Sequence, residues 1–260
     1  MTIQQELEII KKRKERVRIK DILSEYNIKS PKTIYDIIKR NGKNKLKPNK
    51  KYILNEGFFE VIDDEYKAYW LGFLYADGYV RMKNNKSGEL RIKLKYDDKN
   101  HIEAFRDCIS SNHKINDFIQ KSSSESFSKV SSLSIYNTKL VMDLFSHGCV
   151  NAKTFKIKFP VLKNDLNRHF LRGYFDGDGY ITIKKNSNSA TVGITSNFDF
   201  INGIIKYLNY GKISKRKNIY DFKIYNRTNI EKFYNLLYEN SNIFLQRKRN
   251  IFDEYLKRNK

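Results

Sequence analysis

The chain has 260 residues, with 51 Lys+Arg against 29 Asp+Glu and a formal net charge of +22. At 40% hydrophobic and 31% charged residues it reads as a globular chain with a buried core, not a disordered one. No run of about 18 apolar residues is available to span a membrane, the charged start lacks a secretory signal, and Cys108 and Cys149 are too few for a disulfide framework or a four-ligand zinc site. So large a basic excess opposes compaction unless a polyanion neutralises it, and nucleic acid is the expected partner, a ribosomal or membrane-surface protein being the alternative.

Residues Met1 to Lys51 hold 16 Lys+Arg and 6 Asp+Glu, a local net of +10. Ile9, Ile10, Arg13 and Val17 follow a rough helical spacing. Ile19, Ile22 and Leu23 form a short apolar face ending at Tyr26, and Asn27-Ile28-Lys29-Ser30 reads as a turn. Pro31, with Ser30 as N-cap, opens a helix carrying Ile34, Ile37 and Ile38, and Gly42 is a stop signal. Two short helices about a tight turn, the second polar on its outside, describe a helix-turn-helix-like DNA-binding module over residues 1–42. A plain helical hairpin has the same pattern. Residues 43–53, rich in lysine, form a basic linker suited to a phosphate backbone.

From Leu54 onward helices and strands alternate in a repeated order. A helix over 66–77 precedes strands at 79–84 and 89–96, a helix at 100–109, strands at 114–120 and 127–136, and a helix at 138–146. The order then restarts with a helix at 166–176, strands at 180–185 and 190–195, a helix at 198–208, strands at 212–215 and 219–225, and helices at 229–238 and 246–257. The periodicity predicts an α+β protein of two pseudo-symmetric αββαββα repeats, 54–160 and 161–260, after the small N-terminal helical module.

Each repeat opens on the same motif. Trp70-Leu71-Gly72-Phe73-Leu74-Tyr75-Ala76-Asp77-Gly78-Tyr79-Val80 precedes Leu171-Arg172-Gly173-Tyr174-Phe175-Asp176-Gly177-Asp178-Gly179-Tyr180-Ile181 by 101 residues. Gly72 and Ala76, like Gly173 and Gly177, are four apart and share a helix face. A bulk-free stripe lets two backbones approach closely, at a cost of about 1 kcal/mol per interior Gly relative to Ala. The copies are expected to pack on each other about a pseudo-twofold axis. Gly78 and Gly179 are expected as left-handed residues closing each helix. Asp77 and Asp178 then sit at helix C-termini, where the partial negative charge disfavours a carboxylate. The same local rule is broken twice, which points to function. Two acids near one axis need cations or raised pKa values, and beside a polyanion the suitable cation is Mg²⁺. That arrangement suits metal-assisted phosphodiester hydrolysis.

These segments resemble the paired motifs of single-chain LAGLIDADG homing endonucleases, over about Leu54 to the C-terminus. The resemblance implies two αββαββα halves joined through the motif helices, each presenting a sheet to duplex DNA. It implies catalytic acids at Asp77 and Asp178, metal-binding carbonyls one residue earlier at Ala76 and Gly177, and assisting basic residues at Lys153 and Lys248. The sixth motif position departs from the pattern, being Tyr75 in the first copy and Asp176 in the second, while both eighth-position acids are retained.

Strand alternation agrees with a DNA-facing surface. Arg81 and Lys83 oppose Val80 and Met82, Arg91, Lys93 and Lys95 oppose Leu90, Ile92 and Leu94, Thr182 and Lys184 oppose Ile181 and Ile183, and Lys223 and Tyr225 oppose Phe222 and Ile224. Such faces contact phosphates and base edges in the major groove. The histidines His101, His113, His147 and His169 have no metal-ligand spacing. The expected function is site-specific double-stranded DNA cleavage with Mg²⁺ (Mn²⁺ or Ca²⁺ able to substitute in binding) by an intracellular monomer, the resemblance implying short 3′ overhangs and a role in mobility of the encoding element. A non-cleaving DNA-binding regulator and an RNA maturase on the same scaffold are the alternatives.

Overall fold

The computed structural model describes residues 1–41, 52–84, 86–121, 126–150, 156–163, 165–184 and 189–258. The contacts divide the chain into two compact units, Met1–Lys51 and Tyr52–Lys260. In the first, α1 (Ile3–Lys14), α2 (Ile19–Glu25) and α3 (Pro31–Asn41) surround a core of Ile9, Ile22, Ile34 and Ile37. Thr2 and Gln5 form a reciprocal capping box at α1. Asn27, at φ 50°, turns the chain between α2 and α3, and the Ser30 hydroxyl accepts from Lys32 N at 3.3 Å. A third helix packs onto the two-helix pattern, tied to α3 by Glu6 and Arg40 at 2.6 Å. Lys32, Thr33, Tyr35, Asp36, Lys39 and Arg40 remain exposed along α3. Most of the expected linker lies outside the described residues, but Tyr52 and Ile53 belong to the larger unit. Tyr52 stacks on His113 at 4.2 Å and Ile53 N donates to Asn112 at 2.7 Å.

The larger unit contains the repeat. Its first half runs α4 (Glu65–Ala76), β1 (Gly78–Lys83), β2 (Ser87–Lys95), a 3₁₀ turn (Tyr96–Asp98), α5 (Lys99–Cys108), β3 (Ile115–Lys121), β4 (Phe127–Tyr136) and α6 (Thr138–Ser146). The second runs α7 (Leu166–Asp178), β5 (Tyr180–Ile183), β6 (Ala190–Ser196), α8 (Phe198–Leu208), β7 (Lys212–Arg216), β8 (Ile219–Ile224), α9 (Arg227–Tyr238) and α10 (Gln246–Lys257). The two antiparallel sheets have matching orders, β1-β2-β4-β3 and β5-β6-β8-β7. Corresponding caps recur as well: Asn137 accepts from Leu140 N at 2.9 Å before α6, and Asn226 accepts from Asn229 N at 2.7 Å before α9.

Helix α4 is apolar around most of its circumference and buries Ala68 through Tyr75 without a break, while α7 buries Phe170 through Asp176, Arg172 and Asp176 among them. A helix of that kind has to be enclosed, and α4 and α7 enclose each other between the two sheets. The seam is reciprocal. A Cβ on Gly72 would collide with the Phe170 carbonyl and lie 3.0 Å from Tyr174 N, while one on Gly173 would collide with the Tyr69 carbonyl and lie 2.8 Å from Phe73 N. Each glycine thus meets the residues three before and one after its counterpart, as a twofold relation requires. The expected left-handed closure is not adopted: among the described glycines only Gly148 and Gly211 have positive φ, and Gly179 has φ −72° and ψ 159°. Glycine is needed there for space. A Cβ on Gly78 would sit 2.7 Å from the Leu74 carbonyl oxygen, and one on Gly179 would strike the Phe175 ring. No described helix is long and apolar enough to cross a membrane.

Candidate active site and nucleic-acid interface

Because α4 and α7 run side by side, their C-terminal acids meet at one end of the seam. Asp77 is the C-cap of α4 and Asp178 the last residue of α7, and both are exposed. A Cβ on Gly177 would collide with Ala76 Cβ and lie 3.4 Å from Asp77 Oδ2, so the acid of one copy borders the small residue of the other. The Tyr174 hydroxyl, 3.2 Å from Ser196 Oγ, is pushed up first by burial and then by the charges of Asp178 and Asp77. Both acids open onto a cavity of 530 Å³ whose wall includes Tyr75, Tyr79, Tyr174, Val150, Thr195 and Ile219. The repeats therefore contribute one acid each to a single basin.

A cation in this basin would find the carboxylates of Asp77 and Asp178, with Ala76 beside them in the wall; Gly177, the other expected carbonyl ligand, borders Ala76 and Asp77 but is not part of that wall. Among the described residues no three His, Cys, Asp or Glu side chains converge as a ligand set. Further oxygens would have to come from water and phosphate, a donor set that fits Mg²⁺ and not a closed zinc site. Lys248 lies near enough to both acids to feel their charge. It is 7% exposed, its ammonium donates to the Gly179 carbonyl, and Phe175 lies beneath at 5.6 Å. Burial foremost lowers its pKa, opposed by the negative charges of Asp176, Asp77 and Asp178. Lys153, the corresponding expectation for the first copy, lies outside the described residues.

The outer sheet faces carry the expected cations, with some already engaged. Arg81, Lys83, Lys95, Thr182 and Lys184 are exposed. Arg91 stacks over Tyr79 at 4.6 Å, and Lys93 donates to Gln120 at 2.8 Å. Tyr225, just beyond β8, is half exposed. Lys223 instead binds Asp221 at 3.0 Å. Asp221 is 1% exposed, accepts from Thr195 at 2.6 Å, and is held below the usual carboxylate range by those partners against its burial. Sequence alternation identified the face but not the acid set beneath its lysine.

A second polar cluster, behind the acids, escaped sequence reasoning. Asp176 is fully buried and accepts from Tyr69 at 2.8 Å, Tyr238 at 2.7 Å and Leu245 N at 2.6 Å. Tyr69 also pairs with His101 at 2.9 Å. Arg172, also fully buried, donates to the carbonyls of Ile243 and Leu237 at 2.8 Å each and to Glu65 at 2.6 Å. Its visible signals are an arginine in the second motif where the first has Leu71 and Asp176 where the first has Tyr75.

This cluster predicts acid sensitivity. Burial foremost lowers His101 to about 3 and His169 to about 4, and raises Asp176 to about 6. As pH falls below about 6.5 the unfolded chain gains two imidazole protons that the native chain refuses, which is destabilising. The native chain gains one carboxyl proton through about pH 6, which opposes the loss. The net is one proton in favour of unfolding, so the protein is expected to be about 2 kcal/mol less stable at pH 5 than at pH 7. Urea denaturation at the two pH values measures this, and a flat or rising stability would contradict it.

Comparison with known proteins bears on the fold. Residues 165–238 match a family profile described as LAGLIDADG-like domain. The homing endonuclease I-WcaI, bound to its DNA recognition sequence, is similar in fold at 18% identity and TM-score 0.57, covering 81% of this chain and 96% of that one. The meganuclease I-SmaMI bound to DNA matches at 14% identity and TM-score 0.49, over 75% of this chain and 90% of its own. A 191-residue stretch, 66% of the chain, is 28% identical to a probable translation initiation factor IF-2 of Methanocaldococcus jannaschii, of which it spans 15%. The second repeat thus matches the LAGLIDADG-like domain, and the larger unit has the fold seen in the homing endonuclease I-WcaI.

Proposed function

We propose that this protein is a divalent-metal-dependent, site-specific endonuclease of double-stranded DNA. The observation that carries the reading is the convergence of Asp77 and Asp178, one from each repeat, at the mouth of a single basin. A divalent cation bound by these carboxylates and the Ala76 and Gly177 carbonyls would activate water and offset charge at the scissile phosphate. The chain's own residues do the rest. Arg81, Lys83, Arg91, Lys93 and Lys95 on one sheet, and Thr182, Lys184, Lys223 and Tyr225 on the other, engage the duplex and set its register. Lys248 supports the second acid. As both motifs lie in one chain, a monomer acts on both strands, leaves short 3′ overhangs and serves mobility of its encoding element.

The test is selection of cleaved duplexes from a randomised library with and without Mg²⁺. A discrete set of cut sequences appearing only with metal is the expected result. A bound duplex that is never cut favours a regulator, and tighter binding to a structured intron RNA favours a maturase.

The N-terminal unit is read as a DNA-binding module in its own right, with α3 as its contact. Replacing both Lys32 and Lys39 with Ala is expected to weaken binding across sequences and to reduce the slope of log K against log salt by about 2, leaving the cut position unchanged. Titrations at several salt concentrations check this; an unchanged slope removes α3 from the interface.

A further inference from the structure

The sixth motif position differs between the copies in chemistry but not in what it grips. Asp176 accepts the Leu245 N–H at 2.6 Å, in the connector between α9 and α10. Tyr75 donates to the His147 carbonyl, in the connector after α6. Since α6 and α9 occupy the same place in the two repeats, these connectors correspond. In the first copy the grip is tight enough that a Cβ on Gly148, at φ 85°, would collide with the Tyr75 hydroxyl, and the neighbouring Cys149 thiol donates to the Leu74 carbonyl at 3.7 Å. In the second copy the carboxylate is held from two further sides by Tyr69 and Tyr238.

The second connector leads directly to Lys248. Leu245 is the N-cap of α10 and offers no side-chain cap of its own. A carboxylate at that helix end suits the exposed N–H groups and the helix dipole. Lys248 lies one turn on, its N–H bonded to the Leu245 carbonyl at 3.0 Å and its ammonium to the Gly179 carbonyl. Any shift of Leu245 is therefore passed to Lys248 through a single rigid turn.

We infer that the sixth position of each motif is a positioning residue, clamping the connector that follows the last strand-paired helix of its own repeat, and that Asp176 thereby sets Lys248 beside the acid pair. The two clamps have opposite polarity: a carboxylate accepts from an N–H in one repeat, and a phenol donates to a carbonyl in the other. They cannot be exchanged, because Tyr75→Asp would leave the His147 carbonyl without its donor. The functional half of this inference rests on the nuclease reading; the structural half does not.

The test uses the full chain carrying Asp176→Asn, which keeps the shape and loses one acceptor oxygen, or Tyr75→Phe, which loses only the hydroxyl. Hydrogen exchange is expected to accelerate at residues 244–249 in the first variant and at 147–150 in the second, each without the other. On a duplex that the wild type cuts, Asp176→Asn is expected to slow one strand by about 10-fold or more, with nicked product accumulating and affinity nearly unchanged, as a misplaced assisting group should. Unchanged exchange at 244–249, or equal slowing of both strands in step with lost stability, would overturn the assignment. If no duplex is cut by the wild type, the nuclease reading fails while the exchange experiment still decides the clamp. Should Asp176→Asn not fold, Tyr238→Phe removes a single donor to the same carboxylate and is read in the same way.

Discussion

Asp77→Asn and Asp178→Asn are each expected to lower double-strand cleavage by at least about 1,000-fold, with at most nicked product, while duplex affinity stays within about 3-fold. Both side chains are exposed at the C-terminal ends of their helices. The substitutions leave volume unchanged and remove a negative charge from a helix C-terminus, so the fold should be as stable or slightly more so. Activity and stability are thus expected to move in opposite directions, which no merely structural role predicts. Cleavage time courses with Mg²⁺, paired with binding measured in Ca²⁺ and thermal melts, give all three readouts. Cleavage that survives either substitution would remove the acid pair from the chemistry.

Gly72→Ala and Gly173→Ala are expected to reverse the usual rule for helices. In an exposed helix interior, Ala in place of Gly stabilises by about 1 kcal/mol. Here each new methyl would collide with a carbonyl oxygen of the opposing helix and lie within 3.0 Å of a backbone nitrogen. Backbone cannot rotate aside as a side chain does, so the helices would have to separate along the seam. The expected cost is about 3 kcal/mol or more for each, at the upper end of overpacking effects. Because separation also moves Asp77 relative to Gly177, residual folded protein should lose cleavage before it loses DNA binding. Denaturant unfolding measures the first effect, and a neutral or stabilising substitution at either position would show that the seam tolerates bulk.

Much of this architecture was legible because it rests on short-range signals. Alternation of apolar and charged residues located the eight strands, and duplication of an 11-residue segment gave the pseudo-symmetry before any contact was known. The small-residue stripe at Gly72 and Gly173 announced close packing. What stayed hidden depends on partners distant in sequence. Asp176 meets Tyr69 across 107 residues, Tyr238 across 62 and Leu245 across 69. Nothing local distinguishes such an acid from a solvated one. The pairing of Lys223 was by contrast within reach, since the alternation that sets Lys223 and Tyr225 on one face of β8 sets Asp221 there as well. Gly78 and Gly179 were misread in mechanism: Asp-Gly after a helix suggests a left-handed cap, whereas the crowding that actually demands glycine comes from Leu74 and Phe175 in the preceding turn.

The buried cluster behind the acids bears on how such proteins can be recombined. Glu65 and Tyr69 belong to the first repeat, Arg172 and Asp176 to the second, and each pair is completed only by the other. A chimera that joined residues 161–260 to a foreign first half would strand a buried guanidinium and deprive a buried carboxylate of a donor, a penalty of several kcal/mol. The repeats are therefore symmetric in shape but not interchangeable as parts, and any graft that reprograms target choice has to carry Glu65 and Tyr69 with it.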